Sequence, residues 1–167
     1  MSDFRTGLIV GRFDPPHLGH SYMIERALEQ TDRLVLYVNS SFRRDTIPGE
    51  LRGAWLAELH PSVEIRVVRH SLDTDWDDED LWARWIALFR SHWPYDEGPH
   101  AVFSSDTYVS GIAERLDALP VTVDPQRTAV PISATQIRDE PAAHLDKVAL
   151  PVRQWIESHW IFDDPGF

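Results

Sequence analysis

Gly11-Arg12-Phe13-Asp14-Pro15-Pro16-His17-Leu18-Gly19-His20 is a glycine- and proline-rich loop set between an apolar run and a helical pattern. Upstream, Thr6 to Val10 reads as a buried first strand. Downstream, Leu18, Met23, Ile24, Ala27 and Leu28 fall at helical spacing up to Gln30, and Arg33 to Val38 reads as a second buried strand. Strand, helix and strand in that order make a βαβ unit, which predicts parallel strands. The loop puts two imidazoles at the mouth of the unit. Gly11 and Gly19 are expected to let the backbone approach a ligand closely, while Pro15 and Pro16 stiffen the turn. The next helix is expected to aim unpaired N–H groups and its positive dipole end at the same point, which favours an anion such as phosphate. His-x-x-His is also a spacing that a metal can use, and Gly-Pro runs are most often plain turns. The chain has no cysteine and no second compact His/Asp/Glu set at zinc spacing, which counts against the metal.

The pattern continues outward from this unit. After Pro48 a helix is predicted through Leu51, Ala54, Trp55 and Leu59, then a third strand at Val63–Val68. An acidic loop, Asp73 to Asp80, leads into a tryptophan-rich helix from Leu81 to His92; its carboxylates suit a helix N-terminus, with a metal site as the alternative. Ala101–Phe103 and Val121–Val123 read as the fourth and fifth strands, separated by a helix through Val109, Ile112, Ala113 and Leu116. Pro141 to Trp160 reads as one or two amphipathic helices, and Asp163–Phe167 as a tail expected to fray. Alternation of this kind predicts an α/β doubly wound parallel sheet of five strands in the order 3-2-1-4-5, Rossmann-like, with C-terminal helices over about 133–162. At 167 residues the chain suits a single domain, 1–167. Ligands of such sheets bind beyond the carboxyl ends of the strands where the strand order reverses, and the loops meeting there carry His17 and His20, Asp106, and Arg138.

A net charge of −11 argues against broad nucleic-acid binding, and no apolar run approaches a membrane span. The N-terminus lacks the charged and apolar regions of a signal peptide, so a cytoplasmic protein is the expectation. Lys147 is the sole lysine among 16 basic residues. Arginine's planar fork suits bidentate phosphate contacts, so local clusters can hold an anion within an acidic chain; the competing reading is solvated surface or ion pairs.

Ser133-Ala-Thr-Gln-Ile-Arg138 opens a short helix, with Ser133 as a good N-cap and Thr135 in the first turn. By itself it is an ordinary capped helix. Taken together, the two stretches resemble the Gly-x-Phe-x-Pro-x-His-x-Gly-His and Ile-Ser-x-Thr-x-Ile-Arg signatures of the nucleotidyltransferase superfamily of adenylyl- and cytidylyltransferases. They occur in the right order, about 115 residues apart. Val123-Asp-Pro-Gln-Arg-Thr128, the run from Ile132 to Pro141, and Asp80-Leu-Trp82 are most similar to nicotinamide mononucleotide (NMN) adenylyltransferases of the bacterial NadR type. Bifunctional NadR proteins add a kinase domain with a Gly-x-x-x-x-Gly-Lys-Ser/Thr loop, a motif this sequence lacks, so kinase activity is not carried over.

The resemblance implies the reaction ATP + NMN → NAD + pyrophosphate. It implies His17, His20 and Arg138 as catalytic contacts to the triphosphate. Gly11, Arg12, Phe13, Gly19, Asp106, Arg127, Ile132, Ser133 and Thr135 are implied as nucleotide-binding, Asp106 through the ribose hydroxyls; for Arg12 a salt bridge is the alternative. Trp82 and Asn39 are implied in NMN binding. Trp82 is expected to stack on the nicotinamide ring, whereas Trp85 reads as a core aromatic. No protein metal site is expected, and Mg²⁺ would arrive with ATP. The implied partners are the small molecules ATP and NMN, without nucleic acid or membrane, and homo-oligomerisation is left open. The alternatives are another superfamily member, such as phosphopantetheine adenylyltransferase or a cytidylyltransferase, and a nucleotide sensor without turnover.

Overall fold

The computed structural model describes residues 2–161, so the expected fraying of Asp163–Phe167 lies outside the described residues. Strands β1 (Phe4–Gly11), β2 (Thr31–Ser40), β3 (Glu64–Arg69), β4 (Ala101–Ser104) and β5 (Leu119–Thr122) form one all-parallel sheet in the order β3-β2-β1-β4-β5. This is the doubly wound order read from the sequence. The central strands β1, β2 and β4 are apolar on both sides because helices cover both faces. Ile9, Leu34, Leu36 and Phe103 pack with Met23, Ile24 and Ala27 of α1 (Leu18–Gln30) and Leu56 of α2 (Gly49–Leu59). Leu8, Val10, Val35 and Val102 turn the other way, onto Trp82 and Phe89 of α3 (Glu79–His92) and Ile112 and Ala113 of α4 (Val109–Arg115).

A third apolar cluster seats the C-terminal segment. Ile132 and Ile137 are buried with Ile47, Trp55 of α2, and Val152 and Ile156 of α6 (Leu150–His159). This clamps the short α5 (Ala134–Asp139) at the carboxyl end of the sheet, and a 3-10 helix (Pro141–Lys147) joins it to α6. Among the described residues no helix is long and apolar enough to cross a membrane.

Some boundaries differ from the sequence reading for local reasons. β5 runs Leu119–Thr122 rather than Val121–Val123, with Pro120 inside it. Proline is tolerated there because β5 is an edge strand that does not need every N–H. α3 starts at Glu79, earlier than the expected Leu81, because Asp78 caps it by accepting from the Leu81 N–H at 3.1 Å.

Candidate active site

The loop after β1 is organised by its own histidines. His17 caps α1: its Nδ1 accepts from the backbone N–H of Gly19 (3.0 Å) and of His20 (3.3 Å), while the His20 Nδ1 accepts from the His17 N–H (3.1 Å). Two of the helix-start donors expected to face an anion are therefore taken by imidazole. The exchange fixes both tautomers. With each Nδ1 accepting, the proton of each neutral ring sits on Nε2. The His17 Nε2 is buried and has no partner among the described residues. The rings stack at 3.6 Å between centroids, and the edge of Phe13 meets His20 at 4.7 Å. Burial, with a smaller contribution from Arg127, holds the His17 pKa down to about 4. Burial, then His17 and Arg127, pushes His20 well below its ordinary value. Both rings are thus neutral N–H donors at neutral pH.

The glycines serve this arrangement differently from the sequence expectation. A Cβ on Gly19 would lie 2.9 Å from the His17 Cε1 and 3.0 Å from its Nδ1. Gly19 therefore makes room for the capping ring. Gly11 does the same for the Phe13 ring, 3.0 Å from where its Cβ would be. The left-handed residue of the loop is not a glycine but Phe13 (φ 53°), whose ring is buried at 3% exposure.

A cavity of about 270 Å³ opens over this loop, lined by Gly11, Arg12, Phe13, His17, Gly19 and His20 from one side. Asp106, Arg127, Ser133, Thr135 and Arg138 line it from the other. Arg138 donates to the Asp14 carbonyl (2.6 Å) and to the Thr135 Oγ1 (3.2 Å). Arg127 donates to the Ile132 carbonyl (3.2 Å) and pairs with Asp106 (3.4 Å). Ser133 and Gln136 form a reciprocal cap at the start of α5. Ile132 stands apart from the other implied nucleotide residues: its side chain is core at 2% exposure, and its contribution is the carbonyl that holds Arg127. Arg12 takes both of its readings, since it lines the cavity and also pairs with Asp14 at 3.3 Å.

A second cavity, about 230 Å³, adjoins the first and shares Val10, Gly11, Arg12 and Tyr108 with it. Its walls are aromatic: Trp76, Trp82, Trp85, Phe89 and Tyr108, with Asn39 and His70 as polar groups and Arg12 and Arg44 as cations. Trp82 lines it but is 6% exposed, and the Arg115 guanidinium lies 4.0 Å over its ring. Its indole N–H donates to the Trp76 carbonyl (3.1 Å), and the Trp85 indole N–H to the Asp73 carbonyl (3.0 Å). The tryptophans of α3 thus pin the acidic loop to the cavity wall. The open ring is that of Trp76, 52% exposed and nearly parallel to Tyr108 at 5.7 Å and 24°. Asn39, at the end of β2, keeps its Oδ1 buried and unpartnered among the described residues.

The sequence reading passes over Asp14 and Arg52, which tie the histidine loop to the loop after β2. Asp14, 1% exposed, accepts from the Thr46 N–H (3.0 Å), the Thr46 hydroxyl (2.8 Å) and the Ile47 N–H (3.1 Å). Arg52 is fully buried. Its signal lay in the helical pattern, because it shares the buried face of α2 with Leu56, four residues on. Among the described residues no three His, Asp or Glu side chains converge as a metal-ligand set.

The Cytidylyltransferase-like family model matches residues 8–47, the stretch that contains the histidine loop. The trifunctional NAD biosynthesis/regulator protein NadR of Escherichia coli K12 is 28% identical over 88% of this chain, and that of Salmonella typhimurium LT2 is 27% identical over the same share. The chain spans 39% of the length of these curated relatives. Among solved structures, a NadR protein in complex with NR aligns over 89% of this chain and 43% of its own, with a TM-score of 0.61 at 21% identity. A bifunctional NMN adenylyltransferase/ADP ribose pyrophosphatase from Francisella tularensis aligns over 72% of this chain and 38% of its own, with a TM-score of 0.56 at 16% identity. Both signature stretches meet at one cavity on a 3-2-1-4-5 sheet, and the chain is similar to NadR over most of its length and to the Cytidylyltransferase-like family over residues 8–47.

Proposed function

We propose that the protein transfers the adenylyl group of ATP to NMN, forming NAD and pyrophosphate. The observation that carries this reading is the pair of adjoining cavities, one lined by imidazoles and arginines and the other by aromatic rings, that meet at Gly11, Arg12 and Tyr108. A transferase of this kind needs a polyphosphate site and an acceptor site that share an edge, so that the acceptor's phosphate oxygen meets the α-phosphorus in line. That oxygen is ionised at neutral pH and requires no general base. The protein's part is then to position the two phosphates and to offset developing charge.

In this reading His17 and His20 donate their Nε2–H groups to the triphosphate. Arg138, Arg127 and Arg12 neutralise its charge, and Ser133 and Thr135 hold the start of α5 against it. Asp106 accepts from the adenosine ribose through the oxygen that Arg127 does not engage. Mg²⁺ enters with the nucleotide as part of the substrate. The nicotinamide ring lies in the aromatic cavity on the open face of Trp76, with Tyr108 and Trp82 in the wall behind it and Asn39 as its polar contact. Trp76 takes the stacking role first assigned to Trp82 because its ring is the open one. A flat cationic ring gains from such faces both by stacking and by cation–π attraction.

Pyrophosphate release from MgATP, measured against a panel of phosphorylated acceptors, tests the assignment. NMN is expected to give the highest kcat/KM. Release with phosphopantetheine and none with NMN would move the protein to a sister activity, and no release with any acceptor would favour a sensor.

A further inference from the structure

We infer that Arg52, which touches neither cavity, is a positioning residue that holds the two substrate sites in register. This rests on the two-site transfer reading above. β1 and β2 pair in parallel up to Gly11↔Val38. One residue further on, Arg12 enters the phosphate loop, while Asn39 continues in β2 paired with Val68 on its other side. The carbonyls of Arg12 and Asn39 thus stand where the β1–β2 ladder has run out, and buried carbonyls need a donor. Arg52 reaches up from α2 and supplies it. Its Nη1 donates to both the Arg12 and the Asn39 carbonyls, the latter at 3.1 Å.

The rest of the guanidinium is anchored at the same time. Nε donates to the Ile47 carbonyl (2.9 Å), and Nη2 lies 2.6 Å from the Asp45 carboxylate, which is itself held by the Ser40 hydroxyl (2.5 Å) and the Ser41 N–H (3.0 Å). Asp14 lies 3.9 Å from Nε. Burying a charge so completely is costly unless it is paired, and here Nε and Nη1 find carbonyls of the histidine loop, the end of β2 and the loop that follows it, while Nη2 meets Asp45 as an ion pair without hydrogen-bond geometry. Arg12 belongs to both cavities and Asn39 to the aromatic one. One rigid fork therefore fixes the spacing between acceptor and triphosphate. A lysine carries the same charge but cannot span two carbonyls and a carboxylate with fixed geometry.

The consequence separates kcat from KM. Each substrate meets its own cavity wall, but in-line attack depends on the distance between the walls, and a misplacement of about 1 Å can cost roughly a hundredfold in rate. In Arg52→Lys, kcat per folded active site is expected to fall by about tenfold to a hundredfold. The KM values for ATP and NMN are expected to stay within about threefold, the scale of an incidental effect. Folded sites are counted by circular dichroism and by stoichiometric binding of a non-hydrolysable ATP analogue. A residue with only a structural role would lower the melting temperature and the folded fraction while each folded site kept its wild-type kcat; that result overturns the inference. Should Arg52→Lys fail to fold, Ser40→Ala removes the hydroxyl that shares the Asp45 oxygen with Arg52 and lies outside both cavities. It is expected to lower kcat severalfold at constant KM, and an unchanged kcat there also overturns the inference. A wild-type protein that makes no dinucleotide from ATP and NMN would instead defeat the underlying functional reading, so the two failures are distinguishable.

Discussion

Replacing Trp76 by alanine should weaken the acceptor and leave ATP almost untouched. Trp76 is 52% exposed, so of a side chain that buries up to about 250 Å² roughly half remains open. A ring laid on one face covers about half of that, ~60 Å², worth about 1.5 kcal/mol at 25 cal/mol per Å². Stacking adds about 0.5–1.5 kcal/mol beyond area. The sum, about 2–3 kcal/mol, corresponds to a rise in NMN KM of roughly 30- to 150-fold. Steady-state kinetics with each substrate varied in turn measures it, and NMN should quench tryptophan fluorescence far less in the variant than in the wild type. Trp82→Phe is the companion. It keeps a ring in the wall but deletes the N–H that holds the Trp76 carbonyl, a bond worth about 1 kcal/mol net, so a severalfold rise in NMN KM is expected. A folded Trp76→Ala protein with wild-type NMN KM and full quenching would refute the stacking argument.

His20→Ala should lower kcat by roughly 10²- to 10³-fold while changing nucleotide binding little, as for other donors aimed at transferring charge; near-wild-type turnover would reduce His20 to a capping residue. Arg138→Lys should also be poorly tolerated, because an ammonium cannot reach the Asp14 carbonyl, the Thr135 hydroxyl and a phosphate together; full activity would remove Arg138 from the triphosphate site. Gly19→Ala should abolish most activity, since its Cβ would meet the His17 ring at 2.9 Å, and a wild-type rate would show that the cap is dispensable. Stability should fall with acidification between about pH 7 and pH 4: the unfolded chain protonates His17 near its ordinary pKa of 6.5 while the folded chain resists until about 4, so the unfolded state binds more protons in that window. His20 acts in the same direction. Urea midpoints at pH 7.5 and pH 5 test this, and a His17→Gln variant should show a shallower slope.

The sheet order was legible because the central strands are short apolar runs between turn signals and the strands alternate with helical patterns, and two cohesive faces leave few ways to wind it. The histidine and arginine cavity was legible for a related reason. Its histidines lie in one contiguous loop, and its arginine lies in a second stretch that can be recognised alone. The aromatic cavity was less so. Trp82 sits at the start of a clear helix and attracts the stacking role, but three-dimensional packing covers its ring with Arg115 and leaves Trp76, in an irregular acidic loop, as the open face. No periodicity marks a loop residue of that kind. Asp14 and Arg52 were hidden differently, because Asp14 is held by Thr46 and Ile47, 32 and 33 residues on, and Arg52 reaches the Arg12 carbonyl 40 residues back. Arg52 nonetheless left a trace, as a charge on the apolar face of α2.

Following the label from ATP tests the central claim most directly. The protein is incubated with Mg²⁺, NMN and ATP labelled either at the α-phosphorus or at the γ-phosphorus, and the products are separated. The two-site transfer account predicts that the α-label appears in NAD and the γ-label in pyrophosphate, in equal amounts and only when NMN is present. Label in AMP or inorganic phosphate without NAD, or release that is indifferent to NMN, would contradict it.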